Sequence, residues 1–549
     1  MTLNICKSFR TLCVMLIPAV LAVVSLMSCT KEDKSMTLPN ENVVAEWPMG
    51  VAYEIFVQSY ADHNGDGIGD INGLTQKLDY LKDLGVSAIW LMPIMPSPSY
   101  HKYDVTDYYG IHADYGNIDA FKNFVNEAHK RDIKVIIDLI VNHTSNEHQW
   151  FEQSANNPGS ALREYYIWAN DSRIKEISSL EKAATGDSDN ITQWHEHPEN
   201  DKKYYGFFSG MMPDLNYDNP EVRKEVIEIG RYWLNEMNVD GFRLDAAKHI
   251  YEEYRVNDNH AWWQEFKRAM QEANPDVYLV GEVWDNTEFA ASFLKGLPAL
   301  FNFDLSFSIL ESIRKEKSVS AFIHEDAWKI DSAHSFESGY LQNQRVFQNV
   351  TSNYKDAIFL SNHDQNRILS MLDGNTEKGK LAASILLTMP GTPYIYYGEE
   401  LGMLGMKPDP NIREPFLWQS DNDSLRTSWM KPEYTVESGV MPLDKQIENK
   451  ASLYWHYKKL IKLRNHSNAL TYGDFKPLEI QDSSLIAFTR EKDGEQVAVM
   501  HNLSANEIEI NTLDKLTGFN IKFFSTNPID IVDADRIVVQ PYSSIILGK

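Results

Sequence analysis

The chain has 549 residues, 43% of them hydrophobic and 24% charged, which is the composition of a globular protein and not of a disordered one. This length suits a large barrel with additional domains better than one small domain. The formal net charge of −26 argues against a nucleic-acid partner, because phosphate binding needs a basic surface, and it is compatible with a neutral substrate such as a glycan.

The first 28 residues have the layout of a secretory signal. Lys7 and Arg10 form a positive region, and residues 11–28 carry no charge. The segment ends in Leu-Met-Ser before Cys29, which is similar to a bacterial lipoprotein cleavage box with Cys29 as the lipidated residue. An uncleaved membrane anchor is the alternative, which the short apolar core disfavours. We therefore expect a signal peptide over 1–28, a polar tether over 29–46 and an exported lipoprotein at the outer membrane or cell surface, with the periplasmic face also open.

The positions of the cysteines limit the chemistry that is possible in the mature chain. All three, Cys6, Cys13 and Cys29, lie in or at the edge of the signal segment. Disulfides and cysteine metal sites are therefore excluded from the folded region.

From Trp47 onwards, strand patterns alternate with helix patterns. Residues 134–140, for example, are nearly all apolar, as in a strand that is covered on both faces. Eight such strands with helices between them predict an α/β fold, a (β/α)8 TIM barrel, over 47–141 and 217–470. The predicted strands are 51–57, 86–91, 134–140, 239–245, 278–282, 299–303, 357–360 and 392–397, and the main helices are 74–84, 121–130, 222–237, 262–273, 378–389 and 453–463.

Two regions depart from this alternation. Residues 142–216 are rich in Asn, Asp, Ser and Trp and show little periodicity, and a structureless loop of that length is implausible, so we expect an inserted subdomain B. Residues 471–549 carry short strand patterns separated by turn residues, which predicts a C-terminal β-sandwich domain.

The fourth predicted strand places Arg243 and Asp245 two residues apart. Residues i and i+2 of a strand point to the same side, so the guanidinium would lie beside the carboxylate and lower its pKa. An ionised, oriented carboxylate suits a covalent nucleophile. A structural ion pair inside a barrel is the alternative, and the pair alone does not decide between them.

Side chains at the ends of other strands decide between a catalytic and a structural role for this pair. Glu282 ends the fifth strand, Asp364 follows the seventh, and His143 and His363 lie beside such ends. Because barrel enzymes build their sites at the C-terminal ends of the strands, we expect these side chains to converge with Asp245 on one mouth. Carboxylates without a Ser–His pair or metal-ligand histidines indicate glycoside hydrolysis. Asp245 would then be the nucleophile, Glu282, which has no cationic neighbour in sequence, the proton donor, and Asp364 a stabiliser of the charged sugar.

Residues 62–70 have the spacing of half a calcium loop. Oxygen-bearing side chains stand at alternate positions with Gly67 at the sixth. Position twelve is Gly73 where an EF-hand has a bidentate Glu, so an EF-hand is rejected. A tight polar turn without metal is the alternative.

The chain resembles glycoside hydrolase family 13, the α-amylase family. Four segments are similar to its ordered motifs and stand on the matching strands: 138–143, 241–249, 281–284 and 359–364. The resemblance implies a retaining hydrolase with Asp245 as nucleophile, Glu282 as acid/base and Asp364 as transition-state stabiliser. It also implies that Arg243, His143 and His363 line the subsite of the attacked sugar.

The resemblance assigns further binding residues. The segment 101–108 is similar to the loop after the second strand, in which a His binds the attacked sugar (His101) and a Tyr stacks on it (Tyr103), with Asp104 beside them. Lys102 stands where the family usually has Gly, which we expect to alter the rim of the cleft. For Ca²⁺, the resemblance implies side chains from Asp62, Asn64, Asp66 and Asp70 with the Ile68 carbonyl, and a second site from Asn142, Asp214 and the His249 carbonyl.

The subgroup features point in two directions. Residues 212–216 resemble a motif between the neopullulanase and oligo-1,6-glucosidase forms, whereas Lys248 and His249 resemble the α-amylase form, in which the Lys contacts sugars on the leaving side. Arg413 is expected to reach the sugar site. We expect endo-hydrolysis of α-1,4-glucans or maltooligosaccharides, with other glycan-uptake proteins as neighbours. An α-glucosidase or neopullulanase acting on short or α-1,6-linked oligosaccharides, a transglycosylase and a non-catalytic glycan-binding lipoprotein are the alternatives.

Overall fold

The structure, a computed structural model, describes all residues except 1–44, 179–192, 199, 325–326, 437–438, 512–515, 520, 527–530 and 534–535. The predicted signal peptide, Cys29 and the tether up to residue 44 lie outside the described residues. Among the residues that are described, no helix combines the length and apolarity needed to cross a membrane.

Eight parallel strands close into a barrel, which confirms the predicted fold class. Each strand pairs with the next along the chain, and the eighth pairs with the first. Every predicted strand is present, with its ends shifted by two residues at most. The strands are β1 (Val51–Ile55), β2 (Val86–Leu91), β3 (Lys134–Leu139), β4 (Gly241–Leu244), β5 (Tyr278–Gly281), β6 (Ala299–Phe301), β7 (Lys355–Phe359) and β8 (Thr392–Tyr396).

Helices cover the outside of the barrel, and their ends follow from local sequence. The helix after the inserted segment begins at Pro220, a residue whose fixed φ suits a first helical position, and Asn219 caps it by accepting from the Glu221 amide. Its Val222, Val226 and Trp233 form the buried stripe. The α-helices are Val57–Tyr60, Ile71–Gln76, Leu78–Leu84, Ile118–His129, Gln149–Asn156, Asp171–Ser178, Pro220–Asn235, Val256–Ala273, Thr287–Ala291, Phe303–Lys315, Phe336–Val350, Ile368–Met371, Thr376–Thr388, Asp409–Ile412, Leu443–Glu448, Leu453–His466 and Asn468–Tyr472.

Strand alternation separates an apolar plug from a charged layer inside the barrel. Ala52, Ile136 and Val280 belong to the cluster that fills the interior. Two residues further along the chain stand Glu54 on β1, Asp138 on β3 and Glu282 just past the end of β5. Alternation points all three to the same interior side. The carboxylates therefore gather at the C-terminal ends of the strands above a packed base.

Two smaller regions accompany the barrel. The segment after β3 contains a three-stranded antiparallel sheet of Trp168–Ala169, Lys203–Tyr205 and Trp194–His195. The C-terminal region is all-β, as predicted, with two sheets that share one apolar core. The five-stranded sheet contains Asp474–Pro477, Leu485–Lys492, Glu495–Asn502, Ser544–Gly548 and Ile521–Ser525, and the three-stranded sheet contains Ile508–Asn511, Arg536–Val539 and Ile531–Asp533.

Glu399, just after β8, is a buried carboxyl without a cationic partner within hydrogen-bond distance in the described chain. It accepts hydrogen bonds from the Tyr457 hydroxyl (2.9 Å) and the Ser361 hydroxyl (3.1 Å). Burial raises its pKa to about 8 from an ordinary value of 4.5. Above pH 4.5 the unfolded chain therefore releases a proton that the folded chain keeps, so folding stability falls as the pH rises from 4.5 towards 8.

We expect Glu399→Gln to raise the free energy of unfolding by up to about 3 kcal/mol at neutral pH, because the amide carries no charge to desolvate. The gain should grow between pH 5 and pH 8, as measured by thermal unfolding across about that range. Glu236→Gln, on an exposed side chain, is the control and should change stability by less than about 0.5 kcal/mol. A gain for Glu399→Gln that does not vary with pH would contradict the assignment.

Candidate active site

A cavity of about 410 Å³ opens at the C-terminal ends of the barrel strands. It brings together all three predicted catalytic carboxylates and most of the predicted binding residues. Those that line it are Asp245, Glu282, Asp364, His101, Tyr103, His143, Lys248 and Arg413. His249, which is predicted as a calcium ligand, lines it too.

Arg243 is the hub beneath this cavity. Its Nη1 donates to Asp245 Oδ1 at 2.6 Å and to both oxygens of Asp138, at 2.9 and 3.0 Å. Its Nη2 lies 2.7 Å from Glu282 Oε2. Glu282 has no cationic neighbour in sequence, but the fold gives it one, because β4 and β5 are adjacent and bring the guanidinium to both carboxylates. Arg243 itself is 1% exposed, so it holds the carboxylates from below and does not line the sugar cavity as expected.

Burial dominates the electrostatics of the two central carboxyls. It raises the pKa of Asp245 and of Glu282, and the Arg243 guanidinium opposes the rise at both. The expectation that Arg243 leaves the pKa of Asp245 lowered is wrong in its net direction, while the raised pKa of Glu282 agrees with the structure. Because three carboxyls share one guanidinium, the cluster retains a proton more readily than an isolated carboxyl does.

The segment after β7 supplies the third carboxylate. Asp364 Oδ2 lies 2.9 Å from His363 Nε2, and Asp364 Oδ1 accepts from Arg413 Nη2 at 2.9 Å. Burial acts to raise the pKa of Asp364, but the two cationic neighbours outweigh it and hold that pKa well below its usual range. His363 was expected to line the sugar subsite; instead it is fully buried behind Tyr103, with the two rings stacked at 5.5 Å.

The segment after β2 forms one wall. Tyr103 donates its hydroxyl to Asp138 Oδ2 at 3.0 Å, and His101 Nδ1 accepts from the Tyr103 amide at 3.1 Å. Burial lowers the pKa of His101 to about 4, so the ring is neutral near pH 7. Asp104 is 1% exposed and accepts from Ser97 Oγ at 2.6 Å, which braces the segment from behind the cavity.

Lys102 does not alter the rim, contrary to the expectation. Its side chain is buried, and Nζ donates to the Ser99 carbonyl at 3.2 Å. Its φ of +64° lies in the left-handed region that favours glycine. The departure from the family's Gly is therefore accommodated by turning the side chain inward.

The remaining predicted binding residues take different positions. His143 Nε2 lies 3.2 Å from the Tyr103 carbonyl, and burial lowers its pKa to about 4. Lys248 donates from Nζ to the Trp284 carbonyl at 2.6 Å and faces the cavity. Arg413 is 2% exposed and donates to the His363 carbonyl as well as to Asp364. Its main contacts therefore position the third carboxylate, and little of its side chain is accessible to a sugar.

The predicted calcium loop is closed by its own hydrogen bonds. Asp62 accepts from the Gly65 and Gly67 amides, and Asp70 accepts from the Gly73 and His63 amides, at 2.6–2.9 Å. Asn64 Oδ1 accepts from the Asp66 amide, and Asp66 Oδ1 from the Ile68 amide. No cluster of three or more His, Cys, Asp or Glu side chains arranged to hold a metal ion is found within the described residues.

The second predicted calcium site lies under the inserted segment. Asn142 donates to Asp214 Oδ2 at 3.2 Å, and Asn142 Oδ1 is buried without a hydrogen-bond partner in the described chain. Asp214 also accepts from the Phe207 amide at 3.0 Å, and the Phe207 ring stacks on the His249 ring at 4.1 Å. The structure thus brings the three predicted residues into one neighbourhood.

Sequence reasoning missed several residues of the site. Glu54 bonds His363 from β1, and Trp284, Phe208 and Asp409 line the cavity. Asp138, the first residue of the segment 138–143, was not predicted as a partner of Arg243. Alternation from Ala52 to Glu54 is the signal that could have pointed to an inward carboxylate on β1.

Comparison with known proteins gives consistent matches over nearly the whole chain. The family model for the catalytic domain of α-amylases matches residues 54–473, and the model for the C-terminal domain of the α-amylase SusG matches residues 485–546. Alpha-amylase 3 of Dictyoglomus thermophilum is 42% identical over 90% of this chain and 92% of its own length. The 4-alpha-glucanotransferase of Thermotoga neapolitana is 34% identical over 83% of this chain and 96% of its own length. The crystal structure of an alpha-amylase from H. orenii superimposes with a TM-score of 0.80 at 38% identity, covering 91% of this chain and 99% of that one.

Proposed function

The chain belongs to the α-amylase family of glycoside hydrolases, and from that premise we propose that it hydrolyses internal α-1,4-glucosidic bonds of starch-like glucans with retention of configuration. The observation that carries the proposal is the convergence of Asp245, Glu282 and Asp364 on one cavity, with Arg243 joining the first two. The α-amylases among its relatives support the choice of substrate.

The reaction would proceed in two steps. Asp245 attacks the anomeric carbon while Glu282 gives its proton to the departing glycosidic oxygen, so the sugar becomes an ester of Asp245 and the leaving glucan is released. Glu282 then takes a proton from water, whose oxygen displaces Asp245 and restores both carboxyls. Asp364, kept ionised by His363 and Arg413, stabilises the positive charge of the sugar ring in both transition states.

The product profile on soluble starch, pullulan and isomaltose tests this function. Rapid loss of starch viscosity with mixed maltooligosaccharides is the expected result. Glucose released from chain ends, or cleavage of isomaltose alone, would indicate an exo-acting α-glucosidase. Longer oligosaccharides formed from a pure maltooligosaccharide would favour transglycosylation, which the glucanotransferase relative makes worth measuring. No reaction with any of them would leave a glycan-binding lipoprotein.

We also propose that Ca²⁺ binds the loop of Asp62, Asn64, Asp66 and Asp70 with the Ile68 carbonyl. The donor set is chemically suitable, since all ligands are oxygens, three are carboxylates, and none of the three forms an ion pair in the described chain. A second ion between Asn142, Asp214 and the His249 carbonyl is supported by the unpartnered Asn142 oxygen. Both ions would cross-link loops and would take no part in bond breaking.

Removal of Ca²⁺ by a chelator is expected to lower the midpoint of thermal unfolding by several degrees. An ion that binds only the folded loop stabilises by mass action, by about 2.7 kcal/mol at one hundred times its Kd. Asp66→Asn should reduce the effect of the chelator, and the exposed Asp119→Asn should not. A midpoint that the chelator leaves unchanged would refute both ions, and metal analysis of the holoprotein would separate one bound ion from two.

A lipid anchor at Cys29 is proposed from the sequence pattern, with localisation at the outer membrane or cell surface. One acyl-modified cysteine after a cleaved signal would hold the folded region on the membrane through the polar tether. Cys29→Ala is expected to move the protein from the membrane fraction to the soluble fraction of cells. Unchanged membrane association of that variant would argue for an uncleaved anchor.

A further inference from the structure

Glu54 is a buried carboxylate that the proposed reaction leaves without a role. It stands at the C-terminal end of β1, on the inward side after Ala52, and is 1% exposed. Its Oε1 lies 2.5 Å from His363 Nδ1 and also accepts from the His363 amide at 3.4 Å. Within the described chain, His363 is its only ion-pair partner. A buried carboxylate with one partner acts on the site through that partner.

The other nitrogen of His363 also faces an acceptor. Nε2 lies 2.9 Å from Asp364 Oδ2 and 2.6 Å from the Tyr103 hydroxyl. The Tyr103 hydroxyl donates its own hydrogen to Asp138, so it presents oxygen lone pairs to Nε2. The ring is fully buried, so no bulk water substitutes for these contacts. Both ring nitrogens must therefore carry hydrogen, which makes His363 an imidazolium.

We propose that Glu54 is a positioning residue of the active site, which fixes the ring orientation and the positive charge of His363 and through His363 the position and charge of Asp364. This inference rests on the proposed hydrolase function and deepens it. The chain Glu54–His363–Asp364 begins on the first barrel strand and ends at the cavity. It supplies the third catalytic carboxylate with a cation that itself has a dedicated counter-ion.

The charges around His363 determine the sign of the effect. Beyond Glu54 and Asp364, its field comes from Asp138, Asp245 and Glu282, with Arg243 and Arg413 as the nearby cations. Burial lowers the pKa of His363, but Asp364 and Glu54 outweigh it and raise that pKa to about 10. Loss of the Glu54 charge therefore lets the ring lose its proton at a lower pH.

A neutral His363 would weaken Asp364 in a specific way. The proton that remains on Nδ1 or Nε2 can satisfy only one side of the ring, so a nitrogen lone pair then faces either residue 54 or the Asp364 carboxylate. Asp364 would lose one of its two ion-pair partners, each of which lies 2.9 Å away, and would retain Arg413 as the other. Because this carboxylate acts on the charged transition state, we expect the loss in kcat more than in KM.

The test is the pH dependence of kcat and KM for maltoheptaose in Glu54→Gln, a variant of nearly the same shape. The alkaline limb of kcat should move to lower pH by at least about one unit, which is about 10-fold in activity at a fixed alkaline pH. Glu54→Asp, which keeps the charge, should return the alkaline limb of kcat most of the way to its wild-type pH. Glu400→Gln removes another fully buried carboxyl beyond β8, bonded to Tyr53 and Tyr80, and should leave the pH profile unchanged.

A double-mutant cycle with His363→Asn separates positioning from general support of the fold. If Glu54 acts through His363, then Glu54→Gln has no further effect on kcat when residue 363 is Asn. Equal effects in both backgrounds, or a Glu54→Gln profile that superimposes on wild type, would overturn the proposal. If Glu54→Gln does not fold, Glu54→Asp provides the test instead. Because the shorter side chain lengthens the contact with His363, the alkaline limb of kcat in Glu54→Asp is expected at a lower pH than in wild type. Wild-type enzyme that leaves maltoheptaose intact would instead refute the proposed function, so the two failures are distinguishable.

Discussion

Asp245→Asn is expected to reduce the hydrolysis of starch by roughly 10⁴- to 10⁶-fold, the range seen when a covalent nucleophile is removed. The amide keeps the shape of the side chain but is a poor nucleophile, and no other carboxylate takes its place. In the proposed reaction Glu282 is needed as the acid, and Asp138 is fully buried below Arg243. Initial rates on soluble starch, read over hours for the variant, measure the effect.

Binding should survive this substitution, since the walls of the cavity do not depend on the Asp245 charge. Calorimetric titration with maltoheptaose is expected to give a Kd within about tenfold of the KM of wild type. Asp258→Asn, on an exposed helical residue, is the matched control and should keep full activity. Turnover by Asp245→Asn within tenfold of wild type would sink the assignment of the nucleophile.

Glu282→Gln is expected to reduce kcat on starch by about 10³-fold, the usual scale of general acid catalysis. The loss should depend on the leaving group. A maltosyl fluoride needs no proton to depart, so its first step should remain fast and produce a burst of fluoride. The second step lacks its general base, and azide, a nucleophile that needs no deprotonation, should restore turnover as the azide adduct of the sugar.

The leaving-group test distinguishes a proton donor from a carboxylate that only organises Arg243. Glu288→Gln, on the exposed side of the helix Thr287–Ala291, is the control and should behave as wild type with both substrates. An equal loss on starch and on the fluoride, with no rescue by azide, would mean that Glu282 supports the site through its 2.7 Å contact with Arg243. The acid/base role would then pass to another carboxyl.

Much of the site could be predicted because the patterns that indicate it, strand alternation and strand ends, lie within short stretches of sequence. Alternation along a strand relates Arg243 to Asp245 without any knowledge of the fold, and the apolar run of β3 reveals a strand that is covered on both sides. Once eight such strands are counted, the barrel rule brings their C-terminal ends to one mouth. Asp245, Glu282 and Asp364 therefore follow from strand ends alone, and the cavity indeed contains all three.

The partners of these carboxylates could not be read in the same way. Which side chain shares a guanidinium depends on strand order and register, and Glu282 lies beside Arg243 because β4 and β5 pair with Arg243 opposite Val280. The inward turn of Lys102 likewise depends on a positive φ that the sequence does not announce. The direction of the Asp245 pKa shift depends on burial, which is a property of the closed barrel.

The sequence by itself determined the class of fold and the family, and it predicted the three carboxylates that line the cavity, because periodicity, strand ends and motif order depend on neighbouring residues. Only the tertiary structure decided which charged side chains lie beside these carboxylates and in which direction their pKa values shift. Closure of the barrel pairs β1 with β8, the neighbour of β7, and places Glu54 against His363 across 309 positions of the chain. Coulomb energy depends on distance and burial in space, and these exist only once the chain has folded.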